Sequence, residues 1–152
     1  MRLFVGVRPP AEVCAQLAAA LGGDADPRWH VTLAFLGERP DPEPVLEALR
    51  PVAARHGPVP LRLSGGGTFG ARVLWAGVAG RLAPLARDVQ VALGIPEQRP
   101  FHAHVTVRRG HGLIIPRALS ELAGEQWTAD EIELVLSRYT SHQVLERLPL
   151  RG

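Results

Sequence analysis

A four-residue pattern occurs twice in this chain: His30-Val31-Thr32-Leu33 returns as His104-Val105-Thr106-Val107, 74 residues later (104 − 30) in a chain of 152. The offset is close to half the length, so the chain reads as two similar halves with one copy each. Both copies lie in runs of strand composition, Trp29 to Leu36 and Phe101 to Arg108. Successive strand side chains point to opposite faces, so His and Thr at i and i+2 share one face while the two apolar residues share the other. A lone His-Val-Thr-Val is ordinarily sheet surface. Two copies at half-chain spacing are what two lobes packed about an approximate two-fold axis need, if two imidazoles and two hydroxyls are to converge on a shared cleft.

The rest of the chain reads as α+β. A strand over Arg2 to Val7 passes through Pro9-Pro10 into a helix over Ala11 to Leu21, stopped by Gly22-Gly23. Asp41 can cap a second helix in which Val45, Leu46, Leu49, Val52 and Ala53 repeat at helical period, ending near Gly57. Val59 to Phe69 and Val73 to Val78 form a hairpin, and Leu82, Leu85, Val89, Ala92 and Leu93 mark a third helix closed by Gly94-Ile95-Pro96. A short helix from Pro116 to about Leu122 and two strands, Ile132 to Arg138 and Val144 to Leu150, complete the pattern. No linker separates two independent units, so residues 1–152 are expected to be one bilobal domain: two pseudo-symmetric lobes of antiparallel sheet with flanking helices around a central cleft.

Composition narrows the class. Hydrophobic residues are 46% and charged ones 21%, a globular balance. The single cysteine, Cys14, excludes an intrachain disulfide and any Cys-rich zinc module. No apolar stretch has the length of a signal or spanning segment, so a cytoplasmic protein without membrane contact is expected. All 17 cations are Arg, and Lys and Asn are both missing, which reads first as a compositional bias of the whole chain. Where particular arginines stand is more informative than their number.

Two imidazoles titrate near neutrality and two hydroxyls are neutral donors, and no carboxylate adjoins either motif in sequence. The set suits acid–base transfer at a tetrahedral anionic centre. With these residues the chain resembles the two-histidine (2H) phosphoesterase superfamily, and within it the RNA 2′,3′-cyclic phosphodiesterase group known as 2′-5′ RNA ligases (LigT/ThpR). The likeness extends through Met1-Arg2-Leu3-Phe4, Arg28-Trp29, Thr32-Leu33-Ala34-Phe35-Leu36-Gly37, Phe69, Val73-Leu74-Trp75, Arg99, Phe101 and Arg109, the last completing a longer His-x-Thr-x-x-Arg form. It departs from the family pattern where Trp29 abuts His30 and where Ala103 stands in place of a common proline.

The resemblance implies hydrolysis of a terminal 2′,3′-cyclic phosphate to a 2′-phosphate, with His30 as general acid on the departing oxygen and His104 as general base on water. It implies Thr32 and Thr106 on non-bridging oxygens and Arg109 in the phosphate pocket. Arg28, Arg99, His102 and Arg108 are candidate RNA contacts, each weighed evenly against ordinary surface residues. No cofactor or metal is implied, and no protein partner: the enzyme is expected to act as a monomer on RNA. His102 and His104 could begin a metal site, but further ligands are missing from the sequence around them. Three rival readings use the same residues: a phosphodiesterase on other cyclic or 2′-5′-linked nucleotides, a 2′-5′ RNA ligase, and a non-catalytic RNA-end-binding module. By strand parity Phe35 and Phe101 belong to the core, Trp75 reads as a core strand residue, and His56, His111 and His142, near turns, face solvent.

Overall fold

The computed structural model describes residues 1–96 and 100–152. The described elements are β1 (Arg2–Val7), α1 (Ala11–Leu21), β2 (Val31–Glu38), α2 (Glu43–Arg55), β3 (Val59–Phe69), β4 (Val73–Ala79), α3 (Ala83–Ala92), β5 (His104–Arg109), α4 (Arg117–Ser120), β6 (Trp127–Ala129), β7 (Glu131–Ser137) and β8 (His142–Pro149). Their order follows the sequence reading, with one addition. β6 is three residues long and carries the buried Trp127 and Ala129, too short for a periodic signal, and it pairs with the outer edge of β3.

Turn chemistry accounts for the element ends. Gly22 at φ 72° closes α1 in the left-handed conformation, where Gly23 N–H donates to the Ala18 carbonyl, a Schellman-type stop. α1 and α2 each bury one apolar stripe, Val13, Cys14 and Leu17 in the first and Val45, Leu46, Leu49 and Val52 in the second.

The eight strands form one antiparallel sheet in the order β6-β3-β4-β5-β2-β1-β7-β8. Its two lobes, β5-β4-β3-β6 and β2-β1-β7-β8, mirror each other about the junction of β5 and β2. They are not the two halves of the sequence, because the last two strands return to complete the lobe begun by the first two. At the junction the ladder holds a single register pair, Val31↔Val105, both fully buried. Among the described residues no second register pair joins the two strands. The approximate two-fold axis therefore passes between Val31 and Val105, the central residues of the repeated motif.

Candidate active site

Continuing the antiparallel register one residue each way from Val31↔Val105 sets His30 beside Thr106 and Thr32 beside His104. All four line one cleft of about 780 Å³. The strand alternation read from sequence thus holds for the motif itself: the valines enter the core and the imidazoles and hydroxyls face the cleft.

Each imidazole is oriented by the backbone two residues upstream. His30 Nδ1 lies 3.1 Å from the Arg28 carbonyl oxygen, and His104 Nδ1 lies 2.7 Å from that of His102. A carbonyl accepts only, so both Nδ1 atoms carry hydrogen, and Nε2 is the nitrogen through which each ring gives or takes a proton. Rings then wedge each imidazole. Phe4 meets His30 edge-on with centroids 5.4 Å apart, and His142 packs against both at 5.5 Å from His30 and 5.0 Å from Phe4. In the other lobe His104 touches Phe69 at 5.3 Å and stacks on His102 at 5.6 Å, while Trp75 meets His102 at 4.7 Å.

Three expectations about the site need correction, and one residue is added to it. Phe35 is 72% exposed on the cleft rather than in the core. The reason is a bulge: Val5 pairs with Ala34 but Gly6 with Thr32, so Leu33 is an extra residue that reverses the alternation beyond it. Trp75 is half-buried outside the core. Its indole lies over Gly67, where an added Cβ would come within 2.6 Å of the ring, and its face joins the cluster around His104. His142, expected in solvent, packs on His30 with its Nδ1 buried and unpartnered among the described residues; burial, joined by the charges of His30 and Arg28, holds its pKa below the ordinary value. The carboxylate missing from the sequence around the motifs comes from far away: Glu133 Oε1 lies 2.9 Å from His30 Nε2, both side chains buried.

Outside the site, His56 is half-buried rather than exposed, its Nε2 2.7 Å from Asp88. His111 is exposed as expected, and Phe101 is half-buried against the core.

Of the other sequence-selected residues, Arg108 and Arg109 line the cleft, and Arg28 lines it while paired to Asp26 at 2.8 Å. His102 backs His104 and faces a second groove lined by Ser64, Gly66, Phe101 and Ala103. Arg99 lies outside the described residues. Sequence reasoning missed Glu133, His142, Phe4, Arg2, Arg138 and Tyr139, all in or against the cleft wall. For Glu133 a signal existed: a carboxylate set between Ile132 and Leu134-Val135, inside the apolar run of its strand. Five arginines line the cleft, Arg2, Arg28, Arg108, Arg109 and Arg138, against one carboxylate, Asp26, among the described residues. Its field favours an anion. Among those residues no group of three or more His, Cys, Asp or Glu could hold a metal ion, and no helix is long and apolar enough to cross a membrane.

The model of the 2′-5′ RNA ligase superfamily matches residues 6–142. The chain belongs to this superfamily. Among relatives, an RNA 2′,3′-cyclic phosphodiesterase of Thermus thermophilus is 36% identical over an alignment covering all of this chain and 91% of that protein. One of the same name from Geobacillus stearothermophilus is 36% identical over 82% of this chain, a match spanning about half, 46%, of the relative's length. In structure, this superfamily member superposes on a Thermus thermophilus protein with a TM-score of 0.80 and 30% identity, covering 100% and 99% of the two chains. Against Escherichia coli LigT complexed with phosphate the TM-score is 0.77 at 25% identity, covering 99% and 98%.

Proposed function

We propose that the protein is an RNA 2′,3′-cyclic phosphodiesterase that opens a terminal cyclic phosphate to a 2′-phosphate. The observation that carries this reading is the pairing of two His-x-Thr motifs across Val31↔Val105 on one arginine-lined cleft. Relatives named for the same activity support it, as does the phosphate complex of a structural neighbour.

The cyclic phosphate sits between the imidazoles. An attacking water gives a proton to His104 Nε2 as its oxygen bonds to phosphorus. The P–O bond to the 3′ oxygen breaks, and that oxygen takes the hydrogen of His30 Nε2. Charge gathers on the non-bridging oxygens during the transfer, where the Thr32 and Thr106 hydroxyls and the Arg109 guanidinium are positioned to receive it. Solvent then returns each ring to its starting protonation. Arg28, Arg108 and, from outside the described residues, Arg99 contact the RNA backbone, and His102 acts through His104. On this reading residues 1–152 work as one bilobal, monomeric unit on RNA ends in the cytoplasm.

The test is a short RNA with a 2′,3′-cyclic end, incubated with and without EDTA, with 2′- and 3′-phosphate products resolved. Conversion to the 2′-phosphate, undiminished by EDTA, is expected. An intact cyclic end after prolonged incubation overturns the reading, and joining of RNA ends in place of hydrolysis redirects it to ligation.

A further inference from the structure

The wall behind His30 holds a charged group that the two-histidine scheme does not use. Glu133 is 4% exposed in a strand whose neighbours Ile132 and Leu134 are fully buried. An ionised carboxylate at such depth loses its hydration and persists only with partners. It has two: His30 Nε2 at 2.9 Å on one oxygen and Arg147 Nε at 3.1 Å on the other. Burial pushes the Glu133 carboxyl up, but the hydrogen bonds and charges of His30 and Arg147 outweigh it, and the net lies below the ordinary value.

The bond between His30 and Glu133 spans three strands, since β1 lies between β2 and β7. On β1, Gly6 is the register partner of both Thr32 and Glu133. The equivalent places in the other lobe are filled in the opposite sense. Thr106 pairs with Trp75, and Trp75 pairs with Gly67. One lobe therefore sets a glycine and then a carboxylate behind its motif, while the other sets an indole and then a glycine. The fold is nearly two-fold, and at these two positions the chain departs from the symmetry.

His30 meets an acceptor at each nitrogen, the Arg28 carbonyl at Nδ1 and the Glu133 carboxylate at Nε2. Both bonds are made together by a ring with hydrogen on both nitrogens, the imidazolium. Among the described residues, His142 of β8 packs on the same ring and is itself acted on by Arg8 beyond the end of β1 and by Arg28 with Asp26 ahead of β2, while Glu131 approaches Arg147 at 3.5 Å. Glu133 is the carboxylate bonded to the ring.

We propose that Glu133, clamped by Arg147 and reached across β1, is the positioning residue that holds the transferable proton on His30. The proposal rests on the phosphodiesterase reading. When the P–O bond breaks, the leaving oxygen competes with Glu133 for the Nε2 hydrogen and takes it. His30 is left neutral with its Nδ1 hydrogen still on the Arg28 carbonyl, and Glu133 stays ionised beside Arg147.

Glu133→Gln keeps the volume and removes the charge. Expected are a kcat on cyclic-ended RNA lower by about tenfold or more with KM held within about threefold, and an alkaline limb of the kcat–pH profile moved to lower pH. Imidazole NMR gives a reading without substrate: the wild type shows a downfield His30 Nε2–H resonance, and the variant loses it. Unchanged kcat, pH profile and resonance overturn the proposal and leave the phosphodiesterase reading standing. A wild-type protein inert on every cyclic end overturns that reading, and the proposed role with it, whereas the resonance still reports whether Glu133 holds His30. If Glu133→Gln does not fold, Arg147→Gln, on a largely exposed side chain, loosens the same carboxylate. A smaller fall in kcat in the same direction is expected there, and none overturns the proposal.

Discussion

Phe35 and Arg109 occupy the same place in the two motif strands, five residues after His30 and His104, and each is turned onto the cleft by a one-residue bulge that follows the motif threonine. In β2 the extra residue is Leu33. In β5 it is Val107, since Leu74 pairs with Arg108 but Trp75 with Thr106. Without the bulges both side chains would point with Val31 and Val105 into the core. One motif strand thereby brings an aromatic ring to the cleft and the other a guanidinium.

Phe35→Ala should leave thermal stability nearly unchanged, because the ring is already in water, and should raise KM for RNA. Loss of one stacked base is worth about 1–3 kcal/mol. Parallel melting curves and steady-state kinetics check this, and an unchanged KM counts against Phe35 as a base platform.

Arg109→Ala removes a charged donor from the proposed phosphate pocket and should lower kcat/KM by about 1.5–3 kcal/mol, roughly 10- to 150-fold. Arg109→Lys should recover only part of the loss, because the ammonium lacks the planar fork. Full recovery by lysine would mean that charge alone matters there.

Both His30→Ala and His104→Ala should abolish turnover, but their effects on stability should differ. Removing His30 leaves the Glu133 carboxylate buried with Arg147 as its remaining hydrogen-bond partner, at a cost of about 1–3 kcal/mol. His104 is half-buried, and its loss should cost less. Urea titration of the two variants measures the difference, and equal midpoints argue against an ionised Glu133.

His142 predicts a pH effect on folding. Its folded pKa lies below the ordinary value of about 6.5, so below that pH the unfolded chain binds the proton more readily and stability falls as the solution is acidified. His142→Gln should flatten the stability curve between about pH 6.5 and 5, read by denaturant midpoints across that range. A curve that keeps its slope in the variant assigns the acid sensitivity elsewhere.

Asp88 acts lower on the scale. Hydrogen bonding from Arg55, against a smaller opposing effect of burial and with help from His56, takes its carboxyl to about 2. A depressed acid stabilises the fold above its unfolded pKa of about 3.9, and that contribution disappears as pH falls from about 4 to 2. Asp88→Asn should lower the midpoint at pH 7 and leave it near the wild-type value at pH 2.

How far the site was legible follows from which residues lie close in sequence. Local alternation put His30 with Thr32 and His104 with Thr106, and the half-chain repeat required the two pairs to meet. The same alternation misplaced Phe35, because a bulge is a property of the pairing between two strands and leaves no reliable mark in one of them. Trp75 was misplaced because its face depends on the side-chain-free Gly67 beneath it. His142 and Glu133 lie 112 and 103 residues from His30 (142 − 30 and 133 − 30), and no local pattern links them to it.

By itself, then, the sequence determined the α+β element order and the two His-Thr pairs that face the cleft, since both follow from periodicity over a few residues. The tertiary structure decided that the lobes are not the sequence halves, which residue five places past each histidine reaches the cleft, and that one imidazole has a buried carboxylate behind it while the other has an indole. Those outcomes depend on strand register and on what neighbouring strands leave empty, and register is settled only when the whole sheet packs.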